Sequence, residues 1–198
     1  MPPVICTMSI SIDGYGTGLN QTEERPFGDI PEDILHRWMV DTPEESPREM
    51  EAILGAGAYV MGRNMFGPVR GEWTGDWRGW WGPNPPYHSP VFVLTNHARE
   101  SLEMEGGTTF HFVTDGIDSA LARAREAAGD LPVHIAGGPT TANQYLAAGL
   151  VDELRLQIAP VVLGRGERLF DGVPFVELEQ LSARPVSLAT HVHYRVLR

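Results

Sequence analysis

The chain has 198 residues, of which 42% are hydrophobic and 21% are charged, values typical of a globular protein that buries a substantial core. Its formal net charge is −11, and its 15 Lys and Arg residues are scattered along the sequence. Nucleic-acid binding needs concentrated positive charge, so we expect no nucleic-acid partner. Any anionic ligand would need a local basic site or free backbone N–H groups.

The one cysteine, Cys6, lies in an apolar stretch and has no partner for an internal disulfide. We expect it to be a buried core residue, which fits a reducing cytoplasm. The N-terminal stretch lacks the pattern of a signal peptide. No segment approaches the roughly 20 apolar residues that span a bilayer. These features predict one cytoplasmic domain over 1–198, with no membrane partner.

The first part of the chain alternates between predicted strands and helices. Buried strands are predicted from β-branched and apolar runs at 4–12, 58–62 and 91–96. The stretch "IPEDILHRWM" predicts a helix because Pro31 and two acids suit a helix start. The stretch "SPREMEAILGAG" predicts a second helix, with Ser46 as its N-cap and an end near Gly55.

A loop insertion at 67–90 is dense in Gly, Pro and Trp and shows neither a helical nor a strand period. A segment of this length without regular structure is usually functional or mobile. Two interpretations stay open. Trp77, Trp80 and Trp81, together with Trp73, Tyr87 and His88, form an aromatic lid over a flat substrate, or these rings pack the loop onto the sheet or into a dimer contact.

The pattern changes in the second half of the chain. Strands are predicted at 110–114 and 133–136, and helices at 116–130 and 141–149, whereas the stretches 153–164, 175–183 and 187–198 all read as strands. Alternating strands and helices followed by strands alone predict an α/β fold. Its central, mixed and mostly parallel sheet is flanked by helices and carries antiparallel C-terminal strands.

The stretch "HIAGGPTTANQYL" places two glycines where a predicted strand hands over to a helix. In an open α/β sheet, ligands bind beside the carboxyl ends of the strands. Gly137 and Gly138 would let a phosphate approach the backbone, and Thr140 and Thr141 would add hydroxyl donors beside the helix N-terminus. The alternative is an ordinary tight turn.

Two further strand ends carry similar chemistry. Gly62 and Arg63 follow one strand, and arginine suits a terminal phosphate because its fork makes two charge-assisted bonds. Thr95 and Asn96 follow the next strand and offer small polar groups for a ribose phosphate. The alternatives are a surface arginine after a turn and an ordinary loop start.

Three such strand ends, in this order, resemble the dihydrofolate reductase fold, and especially its branch containing the reductase domain of bacterial riboflavin biosynthesis. The resemblance rests on "SISIDG", "VMGRNMF" and "AGGPTTANQYLAAGLVDELRLQIAPVVLGRGERLF" and covers nearly the whole chain. It implies a three-layer fold and an NADPH-dependent reductase that passes a hydride to a small, heterocyclic substrate of pterin or pyrimidine type. It also implies a homodimer, which fits the exposed edges expected of C-terminal strands.

The resemblance also implies roles for individual residues. Arg63, beside Gly62, would contact the 2′-phosphate of NADPH, and Thr95 and Asn96 would lie near its adenosine half. The remaining implied cofactor contacts are Thr7 and Met8 beside the nicotinamide and Gly137, Gly138, Thr140 and Thr141 on the pyrophosphate. The Rossmann fingerprint GxGxxG with its ribose-binding acid is absent from the sequence, which disfavours that other dinucleotide fold.

Two acids are candidate catalytic groups. Asp33 matches the carboxylate that grips the pterin in folate reductases, with Glu32 beside it, although acids in a first helical turn commonly cap the helix. Asp13 ends the first strand and faces the nicotinamide end of the cleft, or only stabilises its turn. Where riboflavin-type reductases usually carry an acid before the glycine turn, this chain has Ala136.

Other functions remain as alternatives. The missing acid at Ala136 favours a non-catalytic nucleotide- or flavin-binding module on the same fold. The tryptophans alone would suit an aromatic-loop binding protein, for example one that binds sugars. His36 can line the cleft without a function. His191 and His193 share one face of the last strand, but they lack a third ligand nearby in sequence, so no metal site is predicted.

Overall fold

The computed structural model describes residues 1–197. In this part of the chain eleven strands form one nine-stranded sheet and a separate two-stranded ribbon. In chain order the strands are β1 (Val4–Ser11), β2 (Tyr15–Thr17), β3 (Ala58–Gly62), β4 (Pro90–Leu94), β5 (Leu102–Glu103), β6 (Thr109–Val113), β7 (Val133–Gly137), β8 (Glu153–Ala159), β9 (Glu167–Arg168), β10 (Leu178–Pro185) and β11 (Thr190–Val196). The ribbon pairs β2 with β9.

Within residues 1–197, five α-helices connect these strands. They are α1 (Arg37–Val40), α2 (Pro47–Leu54), α3 (Arg63–Phe66), α4 (Ile117–Ala128) and α5 (Pro139–Ala147), with short 3₁₀ turns at Pro43–Glu45 and Glu105–Gly107. Within the described residues, no helix is long and apolar enough to cross a membrane.

The large sheet has the order β10-β11-β8-β1-β7-β3-β4-β6-β5. The six strands from β8 to β6 in this order run parallel. At the two ends β11, β10 and β5 are antiparallel to their neighbours. This topology confirms the predicted α/β fold with a mixed, mostly parallel sheet and antiparallel C-terminal strands. The single domain stays a prediction, although one sheet holds strands from both halves of the chain.

Apolar layers cover both faces of the sheet. On one face, Cys6 and Met8 of β1 pack with α4 and α5 in the larger core cluster. Cys6 is fully buried, as predicted, and burial raises the pKa of its thiol to about 12. On the other face, Tyr59 and Met61 of β3 pack with Phe66, Tyr87 and part of the insertion. These side chains alternate along each strand because successive residues point to opposite faces.

The helix predicted from Pro31 onward is wrong over most of its length. Residues 31–36 form consecutive turns instead. The backbone N–H of Ile34 donates to the carbonyl of Pro31, and that of His36 donates to the carbonyl of Asp33. The helix begins only at Arg37. Asp33 has a φ of +58°, a conformation that an α-helix does not contain. Pro31 and the two acids that follow it favour a helix start, but the backbone at these residues is not helical.

The second predicted helix is confirmed as α2, with Pro47 in its first turn and its end at Gly55. Ser46 precedes it but makes no side-chain capping bond. Its hydroxyl lies 2.9 Å from Nε2 of His191 on β11, so Ser46 ties the α2 segment to the sheet. His193 also has a structural partner, since its Nε2 lies 2.9 Å from a carboxylate oxygen of Glu153.

Candidate functional site

The carboxyl ends of β3, β4, β6 and β7 open into one cleft of about 410 Å³. Its walls combine three strand-end turns with the N-terminal ends of α4 and α5. Residues lining it include Gly62, Arg63, Arg70, Thr95, Asn96, His97, Thr114, Gly116, Gly138, Thr140, Thr141 and Glu167. The structure thus brings together most of the cofactor contacts proposed from sequence, because parallel strands end at the same edge of a sheet.

The glycine turn after β7 leaves its backbone open on the cleft side. Gly137 has a φ of +112°, and a β-carbon there would meet Met8 Sδ at 2.8 Å, so the position needs glycine. A β-carbon on Gly138 would meet nothing within 4 Å. Gly138 precedes α5, whose first residue is Pro139. The open backbone at Gly138 and the start of α5 together suit a bound anion.

Arg63 follows directly on β3 and is held on several sides. Its Nε donates to the carbonyl of Val69 at 3.1 Å, and its Nη1 donates to Thr95 Oγ1 at 3.1 Å. Its guanidinium carbon lies 3.6 Å from the centre of the Trp73 ring. Among the described residues its buried Nη2 has no hydrogen-bond partner, and an unpaired buried donor costs free energy that an anion would recover.

Arg63 belongs to a local concentration of positive charge in an acidic protein. Burial lowers the pKa of Arg63, and the guanidinium groups of Arg70 and Arg99 lower it further. Arg70 also lines the cleft, where it donates to the carbonyl of Gly67 at 2.9 Å and to Gln21 Oε1 at 2.8 Å. Arg63 and Arg70 together supply the local basic site that an anionic ligand of this acidic protein requires.

Thr95 and its neighbours form the wall beside Arg63. Thr95 Oγ1 accepts from Arg63 and from the backbone N–H of His97, the latter at 3.2 Å. Asn96 lies in the same turn and is exposed. This strand end is therefore more than the start of a loop, because the Thr95 hydroxyl accepts a hydrogen bond from Arg63 and helps to orient its guanidinium.

Glu167 is a cleft residue that the sequence analysis missed. Its carboxylate accepts from Thr140 Oγ1 at 3.2 Å and from Asn64 Nδ2 at 3.5 Å. The ribbon of β2 and β9 carries it to this position. The only signal in the sequence was an acid three residues beyond the "VVLG" strand end, in a stretch rich in turns.

Asp13 is bound by the end of its own strand and by a loop that follows β8. Its carboxylate accepts from Ser11 Oγ at 2.6 Å and from the backbone N–H groups of Leu163 at 3.1 Å and Gly164 at 2.7 Å. The Ser11 bond, then those of Gly164 and Leu163, lower the pKa of Asp13 to about 2 despite partial desolvation. The carboxylate is therefore ionised at neutral pH, and this geometry favours the structural role over proton donation.

Asp33 lies in a turn beside His36. Burial lowers the pKa of His36 to about 4, and the charge of Asp33 opposes this shift. The imidazole stacks on Phe27 with ring centres 4.9 Å apart, and its buried Nδ1 has no partner among the described residues. Asp33 is half-buried and does not line the cleft, and it is the remaining candidate acid.

Thr7 and Met8 occupy opposite faces of β1. Nδ1 of His134 lies 3.1 Å from the carbonyl of Ile53 and donates to it, so Nε2 accepts from the Thr7 hydroxyl at 2.6 Å. Met8 packs against Gly137 and in the larger core cluster. Neither residue lines the cleft described above, although Met8 supports the glycine turn that does.

The tryptophans of the insertion pack on the sheet. Trp73, Trp77 and Trp81 join the cluster around Tyr59, Phe66 and Phe110, and Trp80 contacts Trp77 with ring centres 4.6 Å apart. Trp77 Nε1 donates to the carbonyl of Phe66 at 3.0 Å. Trp77, Trp80 and Trp81 do not line the cleft. Of the two interpretations that the sequence left open, these contacts favour packing.

Comparison with solved structures places the fold among the dihydrofolate reductases and their relatives. A riboflavin biosynthesis protein from Shewanella sp. PV-4, itself described as putative, is 24% identical with a TM-score of 0.70, over 99% of both chains. A pyrimidine reductase-like protein from Corynebacterium diphtheriae is 18% identical with a TM-score of 0.58, over 100% of this chain and 92% of that one. Enterococcus faecalis dihydrofolate reductase, complexed with NADP(H), is 15% identical with a TM-score of 0.61, over 99% and 97%.

The family follows from the sequence itself. The model of the RibD C-terminal domain matches residues 2–192, and the chain therefore belongs to that family, as the sequence resemblance indicated. None of the curated protein sequences compared with the chain matches it significantly. Membership of this family supports a reductase of the pyrimidine or pterin type.

Proposed function

We propose that this protein is an NADPH-dependent reductase that transfers a hydride to a small heterocycle of pyrimidine or pterin type. The observation that carries the proposal is one cleft at the strand ends that is lined both by Arg63, whose Nη2 has no partner among the described residues, and by the open glycine turn at Gly138. NADPH would use both features, because its 2′-phosphate and its pyrophosphate are two separated groups.

The residues present fit the cofactor. Arg63 would bind the 2′-phosphate through charge-assisted bonds, with Thr95 and Asn96 beside the adenosine half. Gly138, Thr140 and Thr141 would hold the pyrophosphate at the start of α5, where N–H groups and the helix dipole favour negative charge. A 2′-phosphate distinguishes NADPH from NADH, so Arg63 makes NADPH the proposed cofactor.

When bound, NADPH supplies the hydride, and the protein supplies position and electrostatics. Met8 packs against Gly137, and the Thr7 hydroxyl is hydrogen-bonded to His134, so β1 is a rigid element beside the glycine turn. Asp13 is ionised and fully bound, which leaves Asp33 or water to deliver the accompanying proton. In the Asp33 case the substrate would bind against that carboxylate.

A turnover screen tests the proposal. Purified protein is mixed with NADPH and, in separate reactions, with dihydropterins and with the aminouracil substrate of riboflavin-pathway reductases, and NADPH absorbance is followed. We expect substrate-dependent oxidation with at least one compound and loss of rate in Arg63→Ala at low NADPH concentration. Equal rates with NADPH and NADH would contradict the assigned role of Arg63.

A non-catalytic nucleotide- or flavin-binding module is the second candidate. Ala136, in place of an acid, and the full set of hydrogen bonds on Asp13 favour it. Saturable NADPH binding without oxidation in the presence of any screened substrate would support this candidate. Asp33→Asn separates the two, because only an enzyme would show a changed rate or pH profile.

A homodimer in the cytoplasm remains part of the proposal. Strand β10 forms one end of the sheet, with most of its residues exposed, and a free strand edge is a common place for association. Light scattering should then give a mass near twice the 21.8 kDa of one chain. A mass equal to one chain would remove the dimer.

A further inference from the structure

Trp73 is the tryptophan of the insertion that reaches the basic site. The guanidinium carbon of Arg63 lies 3.6 Å from the centre of its ring, and that of Arg99 lies 4.8 Å from the same centre. A cation over an aromatic ring is attracted by the ring's electron-rich face. One indole therefore contacts both Arg63, which lines the cleft, and Arg99, which lies outside its lining.

The ring of Trp73 is itself fixed. Its Nε1 donates to the carbonyl of His97 at 2.8 Å, and His97 is part of the cleft wall. Phe112 and Phe66 meet the ring edge-on, with centres 4.9 Å and 5.9 Å away. The indole is thus a rigid support that joins the apolar cluster on the sheet to the edge of the cleft.

Arg63 has two hydrogen bonds and one ring contact that together define its guanidinium plane. The bonds to Val69 and Thr95 use Nε and Nη1, while Nη2 has no partner among the described residues. A flexible arginine loses conformational freedom when it binds a ligand, and holding it in place beforehand reduces that cost. Trp73 contributes the ring contact, which holds the flat face of the Arg63 guanidinium against the indole.

We propose that Trp73 is a positioning residue that orients Arg63 toward the 2′-phosphate of NADPH, so that the insertion determines cofactor preference. This inference rests on the proposed function of the cleft. It gives the Trp-rich insertion a role different from covering a substrate. Arg99, held by the same ring, adds positive potential at the site without lining the cleft.

The test measures dissociation constants for NADPH and NADH by isothermal titration calorimetry. The proteins are the wild type, Trp73→Leu and Trp73→Phe, each with a melting temperature to monitor folding. Trp73→Leu keeps an apolar side chain but removes the aromatic face, and both variants lose the Nε1 hydrogen bond to His97. We expect Trp73→Leu to weaken NADPH binding by about fivefold and to leave NADH binding unchanged. Trp73→Phe keeps an aromatic face and should retain most of the preference for NADPH.

Trp77→Leu is the matched control. It removes another indole of the insertion from the same apolar cluster, but Trp77 does not line the cleft, so this variant should lower the melting temperature without changing the ratio of the two constants. An unchanged ratio in Trp73→Leu, or an equal loss for both nucleotides, would overturn the inference. A wild type that does not distinguish the nucleotides would instead count against the proposed function.

Discussion

Gly62 and Thr141 are in such close contact that a β-carbon on Gly62 would lie 2.3 Å from Thr141 Oγ1 and 3.5 Å from its Cβ. Gly62 ends β3 just before Arg63, and Thr141 lies in the first turn of α5. The contact sets the spacing between the two turns that we assign to the 2′-phosphate and to the pyrophosphate. Any residue larger than glycine at position 62 would change this spacing.

The contact predicts a compensating pair of substitutions. Gly62→Ala should destabilise the fold by about 1–3 kcal/mol through overpacking and should weaken NADPH binding. The φ of Gly62 is −79°, so the cost is steric and not conformational. Thr141→Ala removes the clashing oxygen and leaves only the ordinary contact at Cβ.

Chemical denaturation of the two single variants and the double variant measures this coupling. The double variant should be more stable than Gly62→Ala alone, since the second substitution removes the clash. Strictly additive losses would show that Gly62 and Thr141 do not constrain each other.

The two glycines of the β7–α5 turn should respond differently to alanine. Gly137→Ala forces a side chain into a positive φ and against Met8 Sδ, so it should lower the melting temperature strongly. A β-carbon on Gly138 meets no protein atom within 4 Å. Gly138→Ala should therefore change stability less, yet weaken NADPH binding by obstructing the approach of the pyrophosphate.

Melting curves and NADPH titrations of both variants check this contrast. Undiminished affinity in Gly138→Ala would place the pyrophosphate elsewhere.

Glu167 puts a negative charge in the cleft that we assign to an anionic cofactor. Glu167→Gln should tighten NADPH binding by about two- to fivefold, because a nearby like charge is removed, and the gain should shrink as salt increases. Glu179→Gln is the matched control, since its exposed carboxylate lies on β10 at the far side of the sheet. Weaker NADPH binding in Glu167→Gln would show instead that the carboxylate accepts hydrogen bonds from the nucleotide.

His134 predicts a pH dependence of stability. Burial lowers its pKa from 6.5 to about 4, with the Ile53 hydrogen bond opposing the shift. The unfolded chain therefore binds a proton between these pH values when the folded chain does not, so stability is full above pH 6.5 and falls as pH drops toward 4. The loss between pH 7 and pH 5 should be about 2 kcal/mol from this residue.

Urea denaturation at a series of pH values gives the slope, and His134→Gln should reduce it. His36, whose pKa is also lowered to about 4 by burial, should account for part of the slope that remains. A slope identical in wild type and His134→Gln would mean that His134 binds its proton over the same pH range in the folded and the unfolded chain.

The sequence predicted the strand ends well because their signals are local. Runs of apolar, β-branched residues that end in glycine or in small polar residues specify a buried strand and its turn within a few residues, which is why β3, β4 and β7 were found with Arg63, Thr95 and Gly138 at their ends. Their convergence in one cleft follows from parallel pairing. The helix at Pro31 failed because favourable residues at a start do not prevent a residue such as Asp33 from adopting positive φ.

Contacts between distant parts of the chain were not predictable in this way. Glu167 reaches the cleft because β9 pairs with β2, and its contact with Asn64 spans 103 positions. The role of Trp73 depends on a single ring meeting Arg63, His97 and Phe112 at once, which composition alone does not specify. The insertion was recognised as unusual, but its place on the sheet was set by tertiary packing.

The preference of the wild-type protein for NADPH over NADH tests the central claim most directly. Titration with each nucleotide, followed by quenching of tryptophan fluorescence, gives the two dissociation constants. Arg63→Ala serves as the test variant, and Arg195→Ala, an exposed arginine on β11, controls for loss of one charge. We predict NADPH binding at least about tenfold tighter than NADH binding, with the preference lost only in Arg63→Ala. Failure to bind either nucleotide, or a preference that survives in Arg63→Ala, would contradict the account.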